Sequence, residues 1–554
     1  MLATNFLKSA EAAPETACLW TQIDGRWKSY SRGEVADACL RLARWFSEQG
    51  LVAGDRVLLL MENRPEWAVA ALACARAGYV LVPVYVTHQT SELAYVLTET
   101  RPKACLVSKD LESRLREAVA DDAMPMVVIG ESSAVLYPYQ LDGVLDANTP
   151  VPKPDTLYAL IATSGTNGTP KFVMLSHGNL QANVDSVCQV LIEADLYKPQ
   201  RFLSFLPLAH AYEHMAGLHL PLSFGSEIFY CDRLDRLAGD MQAVKPTLMT
   251  AVPRLYELLY GRITNQVASG SRVKRWLFSE TLRLGALDRS GMSLTDRLMD
   301  AVCERLVRKK VRSRFGGALQ YFVSGGAALN PEIARFFTSL GVGILQGYGQ
   351  TEASPVISVN RPGAVRLDTV GPPLSGVQVR LSEAGELLVR GPLVMQGYWE
   401  QPEATQNTVV DGWLHTGDLA EMDADGHIRI VGRLKDLIIN SGGENIAPAP
   451  IEQALMFQPE IEQAVVAGDG RPWLAALVYP SELLRDDTGS TEDGVRAAVK
   501  RVNASLPIHH HIRKWVLMDT PATLENGLLT PTQKVKRHAL IAAYRDALTD
   551  LYHT

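Results

Sequence analysis

Short apolar runs alternate with amphipathic segments through most of the chain. From about residue 33 to residue 430, stretches with apolar residues at helical spacing are separated by short runs rich in β-branched and other apolar residues. Helices that alternate with strands are typical of layered α/β domains with mostly parallel sheets. The pattern therefore predicts a large, multi-layer α/β domain in the N-terminal part of the chain.

The segment "SGGAALNPEIARFFTSLGVGILQGYGQTEAS" predicts a short helix, a strand and a polar motif, in that order. Asn330 is a favourable N-cap residue, Pro331 suits the first helical turn and Gly341 suits the end of the helix. The run "VGILQ" then predicts a strand that leads into "GYGQTEAS". Because open parallel sheets bind ligands beyond the carboxyl ends of their strands, we expect this motif to face a ligand.

The stretch "TSGTNGTPK", residues 163–171, is unusually polar for its position between two apolar runs. The runs "TLYALIA" before it and "FVMLSH" after it predict buried strands, and Asn179 then predicts a helix cap. Backbone amides, hydroxyls and one lysine suit the oxygens of a polyphosphate, although an ordinary surface loop has a similar composition. The spacing of Gly165, Gly168 and Lys171 differs from the Walker A pattern, in which the lysine directly follows the second glycine.

The composition and the pattern of apolar residues change near residue 433. The stretch "RLKDLIINSGGENIAPAPIEQAL" is followed by a short helical pattern, by apolar runs around "QAVVAGDG" and "WLAALVYP", and by a basic tail. A separate domain of roughly 120 residues has an ordinary size. We therefore predict an N-terminal domain over residues 1–432 and a small α+β domain over residues 433–554.

The composition is that of a globular protein with more than one domain, with 554 residues of which 47% are hydrophobic and 21% are charged. A net charge of −7 and a pI near 6.0 give no overall basic footprint, so we expect no nucleic-acid partner. The seven cysteines are odd in number and form no CxxC pair, which indicates reduced thiols. The chain also starts without the basic and long apolar regions of a secretory signal, so we predict a cytoplasmic protein.

The most apolar stretch of the chain is "WAVAALACARAGYVLVPVYV". Arg76, Gly78 and Pro83 interrupt it, so it predicts a buried helix followed by a strand rather than a membrane span. We therefore expect a soluble protein.

Six motifs lie in order along nearly the whole chain: "TSGTNGTPK", "LPLAHAYEH", "GYGQTEAS", "GWLHTGDLA", "GRLKDLIINSGGENIAP" and "ENGLLTPTQKVKR". They resemble the ordered core motifs of the adenylate-forming superfamily, and most closely those of the long-chain fatty acyl-CoA synthetases. The resemblance implies a large N-terminal domain and a small, mobile C-terminal domain. It also implies that ATP, with Mg²⁺, activates a fatty acid to an acyl-adenylate, which the thiol of coenzyme A then captures.

The resemblance assigns most of the candidate site to ATP. The residues that would hold the β- and γ-phosphates are Thr163, Ser164, Gly165, Thr166, Gly168 and Lys171. The other residues of the nucleotide site would be Gly325, Gly326, Ala327, Tyr348, Gly349, Thr351, Asp418 and Arg433. Tyr348 would stack on adenine, Asp418 and Arg433 would bind the ribose hydroxyls, and Glu352 would hold Mg²⁺ together with Thr166.

For several of these residues the local sequence leaves a structural alternative. Glu352 is also compatible with a carboxylate at a helix start, and Tyr348 with an ordinary core tyrosine. Asp418 and Arg433 are also compatible with a surface ion pair.

The resemblance assigns four further residues to catalysis, movement and coenzyme A. Lys534 would bridge the substrate carboxylate and the α-phosphate, and His210 would face the acyl pocket or the carboxylate. Lys435 would act as a hinge over residues 433–436, and Gly442 would approach coenzyme A. The local pattern alone also fits a solvated basic face for Lys534 and a satisfied core histidine for His210.

Two residues of the first motif depart from the family's pattern. Asn167 replaces a more usual threonine, and an amide still donates to phosphate. Phe172 follows the lysine where a glycine is common. We expect this bulky residue to stiffen the loop or narrow its approach, and Phe172→Gly to preserve folding and accelerate turnover if pyrophosphate release limits the rate.

Residues 261–316 carry an excess of basic residues in an otherwise acidic protein. This helical-looking segment contains 13 arginines and lysines against five acidic residues. Such an excess would attract the anionic surface of a membrane, in which fatty acids dissolve, but a solvated helical face is the commoner origin of the pattern. Peripheral contact with the inner face of a membrane is therefore one of two interpretations.

The interpretation that accounts for most of the motifs is an ATP-dependent long-chain fatty acid–CoA ligase. A first alternative is a ligase that forms the same adenylate but passes the acyl group to a carrier-protein thiol. A second alternative is a catalytically weak acyl-binding protein at a membrane surface. A serine hydrolase is disfavoured because the sequence contains no GxSxG motif.

Overall fold

The computed structural model describes residues 1–119, 124–130, 136, 141–163, 170–196, 198–287, 291–485, 488–523, 525–530 and 534–553. The chain divides into two compact units. Unit 1 comprises Met1–Arg380, Leu388–His415 and Asp423–Ile428. Unit 2 comprises Leu381–Leu387, Thr416–Met422 and Arg429–Thr554.

The helices and strands alternate along the chain. The helices are α1 (Leu2–Ala12), α2 (Arg32–Glu48), α3 (Pro65–Ala77), α4 (Thr90–Thr100), α5 (Glu112–Ala118), α6 (His177–Glu193), α7 (Ala211–Glu213), α8 (Leu220–Ser223), α9 (Leu237–Val244), α10 (Pro253–Ala268), α11 (Arg272–Gly285), α12 (Leu294–Cys303), α13 (Lys309–Arg314), α14 (Pro331–Ser339), α15 (Pro402–Thr408), α16 (Pro448–Met456), α17 (Glu482–Arg485), α18 (Thr488–Asn503), α19 (Arg537–Ala543) and α20 (Arg545–Asp550). The strands are β1 (Ala17–Ile23), β2 (Arg26–Ser31), β3 (Arg56–Leu60), β4 (Val80–Pro83), β5 (Ala104–Ser108), β6 (Met126–Ile129), β7 (Leu157–Thr163), β8 (Lys171–Ser176), β9 (Arg201–Ser204), β10 (Glu227–Tyr230), β11 (Leu248–Ala251), β12 (Tyr321–Ser324), β13 (Gly343–Gly349), β14 (Val356–Val359), β15 (Gln378–Leu381), β16 (Glu386–Arg390), β17 (Gly397–Tyr398), β18 (Val409–Val410), β19 (Trp413–Met422), β20 (Ile428–Arg433), β21 (Ile438–Ile439), β22 (Asn445–Ile446), β23 (Ile461–Ala467), β24 (Leu474–Pro480) and β25 (Ile512–Leu517).

Two large sheets form the centre of unit 1. One has the strand order β14-β13-β12-β11-β9-β10-β1-β2 and the other has the order β17-β8-β7-β4-β3-β5-β6. Most neighbouring strands run parallel, and the antiparallel pairs β1–β2, β13–β14, β7–β8 and β8–β17 lie at the sheet edges. Elsewhere in the chain, a five-stranded sheet has the order β15-β16-β19-β18, with β20 beside β19. The prediction of a large α/β domain with mostly parallel sheets is confirmed.

Several local predictions are confirmed in the same unit. Helix α14 begins after Asn330, whose side chain accepts a hydrogen bond from the Glu332 amide, and Gly341 follows its end with a φ of +77°. The apolar stretch with the interrupting Arg76 forms the buried helix α3 and then strand β4. The predicted cap of α6 is wrong, because Ser176 is the N-cap and Asn179 is the third residue of the helix, where the two form a reciprocal capping box.

Successive side chains of strand β8 point to opposite faces of the sheet and pack into two different apolar cores. Val173 and Leu175 lie in the large core that packs against β1 and α2, whereas Phe172 packs with Leu58, Val82 and their neighbours. Phe172 is 2% exposed and its ring stacks on Tyr95. The expectation that Phe172 narrows the approach to the preceding loop is therefore wrong, because the side chain points into the core.

Unit 2 is built around the three-stranded sheet β23-β24-β25. On one face Ala464 and Val466 pack with helices α16 and α18, and on the other face Val465 and Ala467 pack near helices α19 and α20. Because successive side chains of a strand point to opposite faces, a three-stranded sheet can support two small apolar cores. The predicted α+β character of this region is confirmed.

No helix among the described residues is both long and apolar enough to cross a membrane. All seven cysteines are unpaired thiols, and all but Cys188 are buried.

Candidate functional site

The parallel strands β9, β11 and β12 end side by side in unit 1, and a buried carboxyl group lies at their ends. The Glu213 side chain accepts hydrogen bonds from the hydroxyls of Ser204, at 2.6 Å, and Thr250, at 2.7 Å. Burial raises the pKa of Glu213 to about 7, against the opposing effect of the two hydroxyls. Gly217 leaves room for this side chain, because a Cβ at this position would lie 2.3 Å from Glu213 Oε1 and would force the carboxyl group to shift.

The Tyr212 side chain lines the same strand ends. Its ring lies against Gly325, where an added Cβ would come within 2.9 Å of the ring, and its hydroxyl donates to the Val323 carbonyl at 2.9 Å. His210 Nδ1 accepts a hydrogen bond of 3.2 Å from the Tyr212 amide and so caps the short helix α7. His210 is half-buried rather than enclosed in the core.

Two further segments of the predicted nucleotide site carry small or polar residues that are at least partly exposed to solvent. Gly326 has a φ of +83°, and both Gly326 and Ala327 are exposed. Tyr348, on β13, is half-buried, so it is not an ordinary core tyrosine. Gly349 ends that strand where a Cβ would lie 2.0 Å from the Pro355 carbonyl oxygen, so the close approach of the backbone requires a glycine.

A chain of three side chains connects β8, β17 and the short 3-10 helix Thr351–Ala353. The Tyr398 hydroxyl donates a hydrogen bond of 2.8 Å to Oε1 of the buried Glu352. The Lys171 ammonium lies 4.7 Å from the centroid of the Tyr398 ring, within cation–π distance. Burial, the charge of Glu352 and the hydrogen bond to it all raise the pKa of Tyr398, so its hydroxyl stays a donor.

Strand pairing explains how Tyr398 reaches both partners. Strand β17 runs antiparallel to β8, with Tyr398 opposite Val173. Lys171 is two residues from Val173, on the same face of β8, and is therefore a diagonal neighbour of Tyr398. None of the sequence motifs includes Tyr398. Its only local signal is an aromatic hydroxyl in "QGYWE", and its partner is 46 residues earlier in the chain.

The predicted phosphate loop is flanked by described strands. Thr163 ends β7 directly opposite Lys171, the first residue of β8. The four residues predicted to hold phosphate between them lie outside the described residues, as does Asn167: Ser164, Gly165, Thr166 and Gly168.

Unit 2 brings together a second set of predicted residues. Arg433 Nε lies 2.8 Å from Oδ1 of Asp418, and the Asp418 side chain is 4% exposed. This pair is not an ordinary surface ion pair, because its carboxylate is buried while the guanidinium is exposed.

Lys534 lies close enough to Asp418 and Arg433 for their charges to affect the pKa of its ammonium group. Desolvation and the positive charges of Arg433 and Lys435 lower the pKa of the Lys534 ammonium to about 8, although Asp418 opposes the shift. The residue is nevertheless exposed, so its ammonium is crowded by protein atoms without being enclosed. Its backbone amide donates to Thr530 Oγ1 at 3.0 Å.

The remaining two predicted residues are exposed in unit 2. Lys435 lies on the 3-10 turn Leu434–Asp436. Gly442 lies in the turn between β21 and β22, where its amide donates to Asn440 Oδ1 at 2.9 Å.

The sequence matches family models over both units. The AMP-binding enzyme model matches residues 6–399, and the model of the AMP-binding enzyme C-terminal domain matches residues 435–554. The chain belongs to the AMP-binding enzyme family. Among its relatives, the long-chain-fatty-acid–CoA ligase FadD15 of Mycobacterium bovis is 31% identical over 96% of this chain and 93% of its own length. The peroxisomal long chain acyl-CoA synthetase 7 of Arabidopsis thaliana is 31% identical over 99% of this chain and 86% of its own.

Solved structures share the fold of this AMP-binding enzyme. ATP-bound MatB from Rhodopseudomonas palustris aligns with a TM-score of 0.75 at 24% identity, over 99% of this chain and all of the MatB chain. The o-succinylbenzoate CoA synthetase MenE of Bacillus subtilis, in complex with its acyl-adenylate intermediate, aligns with a TM-score of 0.73 at 21% identity and covers 97% of both chains.

Proposed function

We propose that this AMP-binding enzyme is a long-chain fatty acid–CoA ligase. A fatty acid carboxylate attacks the α-phosphate of ATP and releases pyrophosphate, and the thiol of coenzyme A then displaces AMP from the acyl-adenylate. The observation that carries the proposal is the chain from Lys171 through Tyr398 to Glu352, because one tyrosine holds a cation at the start of β8 and a buried carboxylate near each other. The similarity to long-chain acyl-CoA ligases along nearly the whole chain supports the choice of substrates.

In this proposal ATP is bound by the residues that the sequence motifs assign to it. Carboxylate and triphosphate repel each other, so catalysis depends on positioning and on positive charge. In unit 1, Lys171 and the loop residues Thr163, Ser164, Gly165, Thr166 and Gly168 bind the β- and γ-phosphates. The adenine side of the site is formed by Gly325, Gly326, Ala327, Tyr348, Gly349 and Thr351. In unit 2, the buried Asp418 is held by Arg433 and accepts hydrogen bonds from the ribose hydroxyls.

Glu352 is the described residue that fits a magnesium ion. Its Oε1 accepts the Tyr398 hydrogen bond, which orients the carboxylate, and no hydrogen bond within the described part of the chain occupies Oε2. Carboxylate oxygens are ligands that Mg²⁺ prefers. We propose that Glu352 and Thr166 hold the ion. When bound, Mg²⁺ would offset the negative charge of the phosphates.

Different residues of the C-terminal part of the chain serve the two half-reactions in this proposal. Lys534 supplies positive charge where carboxylate and α-phosphate meet, and its position near Asp418 and Arg433 supports this role. We propose a domain boundary at residues 432–433, with Lys435 as the hinge about which the small domain turns before thioester formation. Gly442 then approaches coenzyme A, since a glycine admits close contact with the backbone.

His210 and the basic segment concern the acyl substrate. His210 is half-buried at the carboxyl ends of the strands, which supports a position facing the acyl pocket or the carboxylate. We also propose a cytoplasmic protein that contacts the inner face of a membrane through residues 261–316. The excess of positive charge in that segment supports the contact.

An ATP–pyrophosphate exchange screen tests the proposed function. Fatty acids of graded length are supplied without coenzyme A, and each acid that stimulates exchange is then tested for thioester formation with coenzyme A and with a carrier protein. We expect exchange with long-chain acids and a thioester with coenzyme A. Exchange without acyl-CoA formation would favour a carrier-protein acceptor, and exchange with no acid would overturn the ligase assignment.

A further inference from the structure

The outer face of helix α12 carries a row of exposed apolar side chains. Leu294, Leu298 and Val302 repeat every four residues, and Leu306 continues the row in the π-helical turn Glu304–Arg308. Leu294 is 79% exposed and Leu298 is 72% exposed. We call these four residues the outer row. It spans about 18 Å, at 1.5 Å per helical residue.

The outer row is not the core-facing side of α12. Cys303 is buried and packs with Leu284 and Met292, and Met299 packs against the same cluster. The helix therefore has one apolar face that is used in the core and a second that is left in solvent. The neighbouring helix α11 adds exposed Val273 and Trp276. Such a concentration of exposed apolar side chains marks an interaction surface.

Exposed cations accompany the outer row on the same helices. Nine arginines and lysines of helices α10 to α13 and their connections are exposed, and within the described part of the chain no ion pair joins them to a carboxylate: Arg262, Arg272, Lys274, Arg275, Arg297, Arg305, Lys309, Lys310 and Arg314.

The described acidic residues of the segment are all paired with arginines within it. Arg283 pairs with both Glu280 and Asp296. Asp300 pairs with the buried Arg308 at 2.7 Å, and Glu304 pairs with Arg312. Among the described residues, these pairs involve every carboxylate of the segment, so the remaining charge of its surface is positive. A solvated helical face explains charged side chains in solvent, but it does not explain the row of leucines among them.

We infer that the outer row and the cations around it form a docking surface for a bilayer with anionic headgroups. The leucines enter the boundary between headgroups and acyl chains, while the lysines and arginines contact the lipid phosphates. A bilayer fits both features at once, because it offers an apolar layer directly beneath a layer of negative charge. The inference rests on the membrane contact proposed above, and it does not depend on the ligase reaction.

Vesicle flotation with the full chain tests the docking surface. The probes are vesicles of phosphatidylcholine alone and of phosphatidylcholine mixed with phosphatidylglycerol, each at low and at high salt. The double variant Leu294→Ser/Leu298→Ser removes apolar area from exposed positions, with Val52→Ser/Ile508→Ser as the control at exposed positions elsewhere. Lys309→Gln/Lys310→Gln removes charge, with Arg26→Gln/Lys28→Gln as its control.

We expect the unmodified protein to float with the anionic vesicles and to dissociate at high salt, since charges in solvent are screened. The leucine variant should reduce the partition coefficient about tenfold or more, and the lysine variant about fivefold per residue. Both control variants should bind as the unmodified protein does. Pyrophosphate exchange with a soluble medium-chain acid, without vesicles, should be the same for all four variants.

Other outcomes would overturn the docking surface. Binding that is equal on neutral vesicles, or that survives both test variants, would show that lipid is bound elsewhere or without charge. Sedimentation velocity provides a further control. If the unmodified protein self-associates and Leu294→Ser/Leu298→Ser is monomeric, the outer row covers a second copy of the chain and not a membrane. Loss of vesicle binding with intact exchange separates failure of this surface from failure of the ligase proposal.

Discussion

The Tyr398 hydroxyl and the Glu352 carboxylate form a hydrogen bond of 2.8 Å in unit 1. The same tyrosine presents its ring to the Lys171 ammonium. One side chain therefore orients both the proposed magnesium ligand and a proposed phosphate ligand. Because the pKa of Tyr398 is raised, its hydroxyl keeps its proton and remains a donor to Glu352 at neutral pH.

Tyr398→Phe should raise the magnesium requirement of the enzyme. The ring remains for Lys171, but Glu352 loses the donor that orients it, so we expect the Mg²⁺ concentration for half-maximal exchange to rise about tenfold. The loss in unfolding free energy should be about 1.5 to 3 kcal/mol, the usual contribution of a hydrogen bond to a charged group. Tyr552→Phe, which loses a hydroxyl bond to the Trp473 carbonyl in unit 2, is the control. The same magnesium dependence in both variants would contradict an orienting role.

Lys534→Ala should separate the two half-reactions. Acid-dependent pyrophosphate exchange should fall by two to three orders of magnitude, because a positioned cation contributes about 3 to 4 kcal/mol to adenylation. Conversion of supplied acyl-adenylate to acyl-CoA should continue at a comparable rate. Lys536→Ala, which removes a lysine two residues away, should change neither assay.

The converse variant is Lys435→Pro, in the proposed hinge. A fixed backbone dihedral should hinder rotation, so thioester formation should slow while exchange is largely retained. Equal losses in both assays for Lys534→Ala and Lys435→Pro would mean that the two residues support the whole site, and their separate roles would be abandoned.

The lowered pKa of Lys534 predicts an alkaline limit to adenylation. The ammonium is needed in its charged form, and it loses its proton as the pH rises through about 8. The kcat/KM of exchange should therefore fall above that pH, since this parameter reports ionisations of the free enzyme. Lys534→Arg should retain a fraction of the activity and shift the limit to higher pH, because a guanidinium stays charged. An unchanged limit in Lys534→Arg would assign it to another group.

Glu213 predicts a pH dependence of stability with the opposite sign to that of an ion-paired carboxylate. Between its ordinary pKa of 4.5 and its raised pKa of about 7, the folded protein keeps the proton that the unfolded chain releases. The unfolding free energy should therefore fall across this interval as the pH rises, by about 3 kcal/mol. Glu213→Gln should remove most of that fall in thermal unfolding measured at both ends of the interval. Glu227→Gln, at a half-buried carboxyl that accepts from Trp20, should leave it in place.

Phe172→Gly should destabilise the protein rather than accelerate turnover. The variant removes a buried aromatic ring from the core beside Tyr95, which costs about 3 to 5 kcal/mol, and it adds backbone freedom within a strand. The midpoint of urea denaturation should fall, whereas Phe172→Leu should retain most of it. A normal midpoint together with faster pyrophosphate release would restore the view that this residue restricts the loop.

Local pattern is sufficient to predict the elements whose signals lie within a few residues of each other. Asn330, Pro331 and Gly341 mark the ends of α14, and the interrupted apolar stretch becomes α3 and β4. The cap of α6 is harder to place because Ser176 and Asn179 are both favourable cap residues, three positions apart, and they bond to each other. The choice between them depends on where β8 ends.

The candidate site is predictable only where a motif carries it. The motifs contain Asp418 and Arg433, but the burial of one partner follows from the packing of unit 2 and has no local signal. Tyr398 escapes prediction and Phe172 is misinterpreted for a related reason. Both depend on the pairing of β17 with β8, which joins segments more than 200 residues apart in the chain. Both faces of β8 pack into apolar cores, and the pairing with β17 is what places Tyr398 beside Lys171.

Lys171 and Phe172 point to opposite faces of β8, and this alternation restricts insertions and deletions within the strand. One residue points toward Tyr398 and the next into the core. A single-codon deletion within the strand would exchange the two faces, so that an aromatic ring would replace the ammonium and a charge would enter the apolar interior. Codons added or lost before Lys171 do not change which residues of β8 point to each face of the sheet. Natural insertions and deletions in homologous genes should therefore accumulate before this lysine and be absent from the six codons of β8.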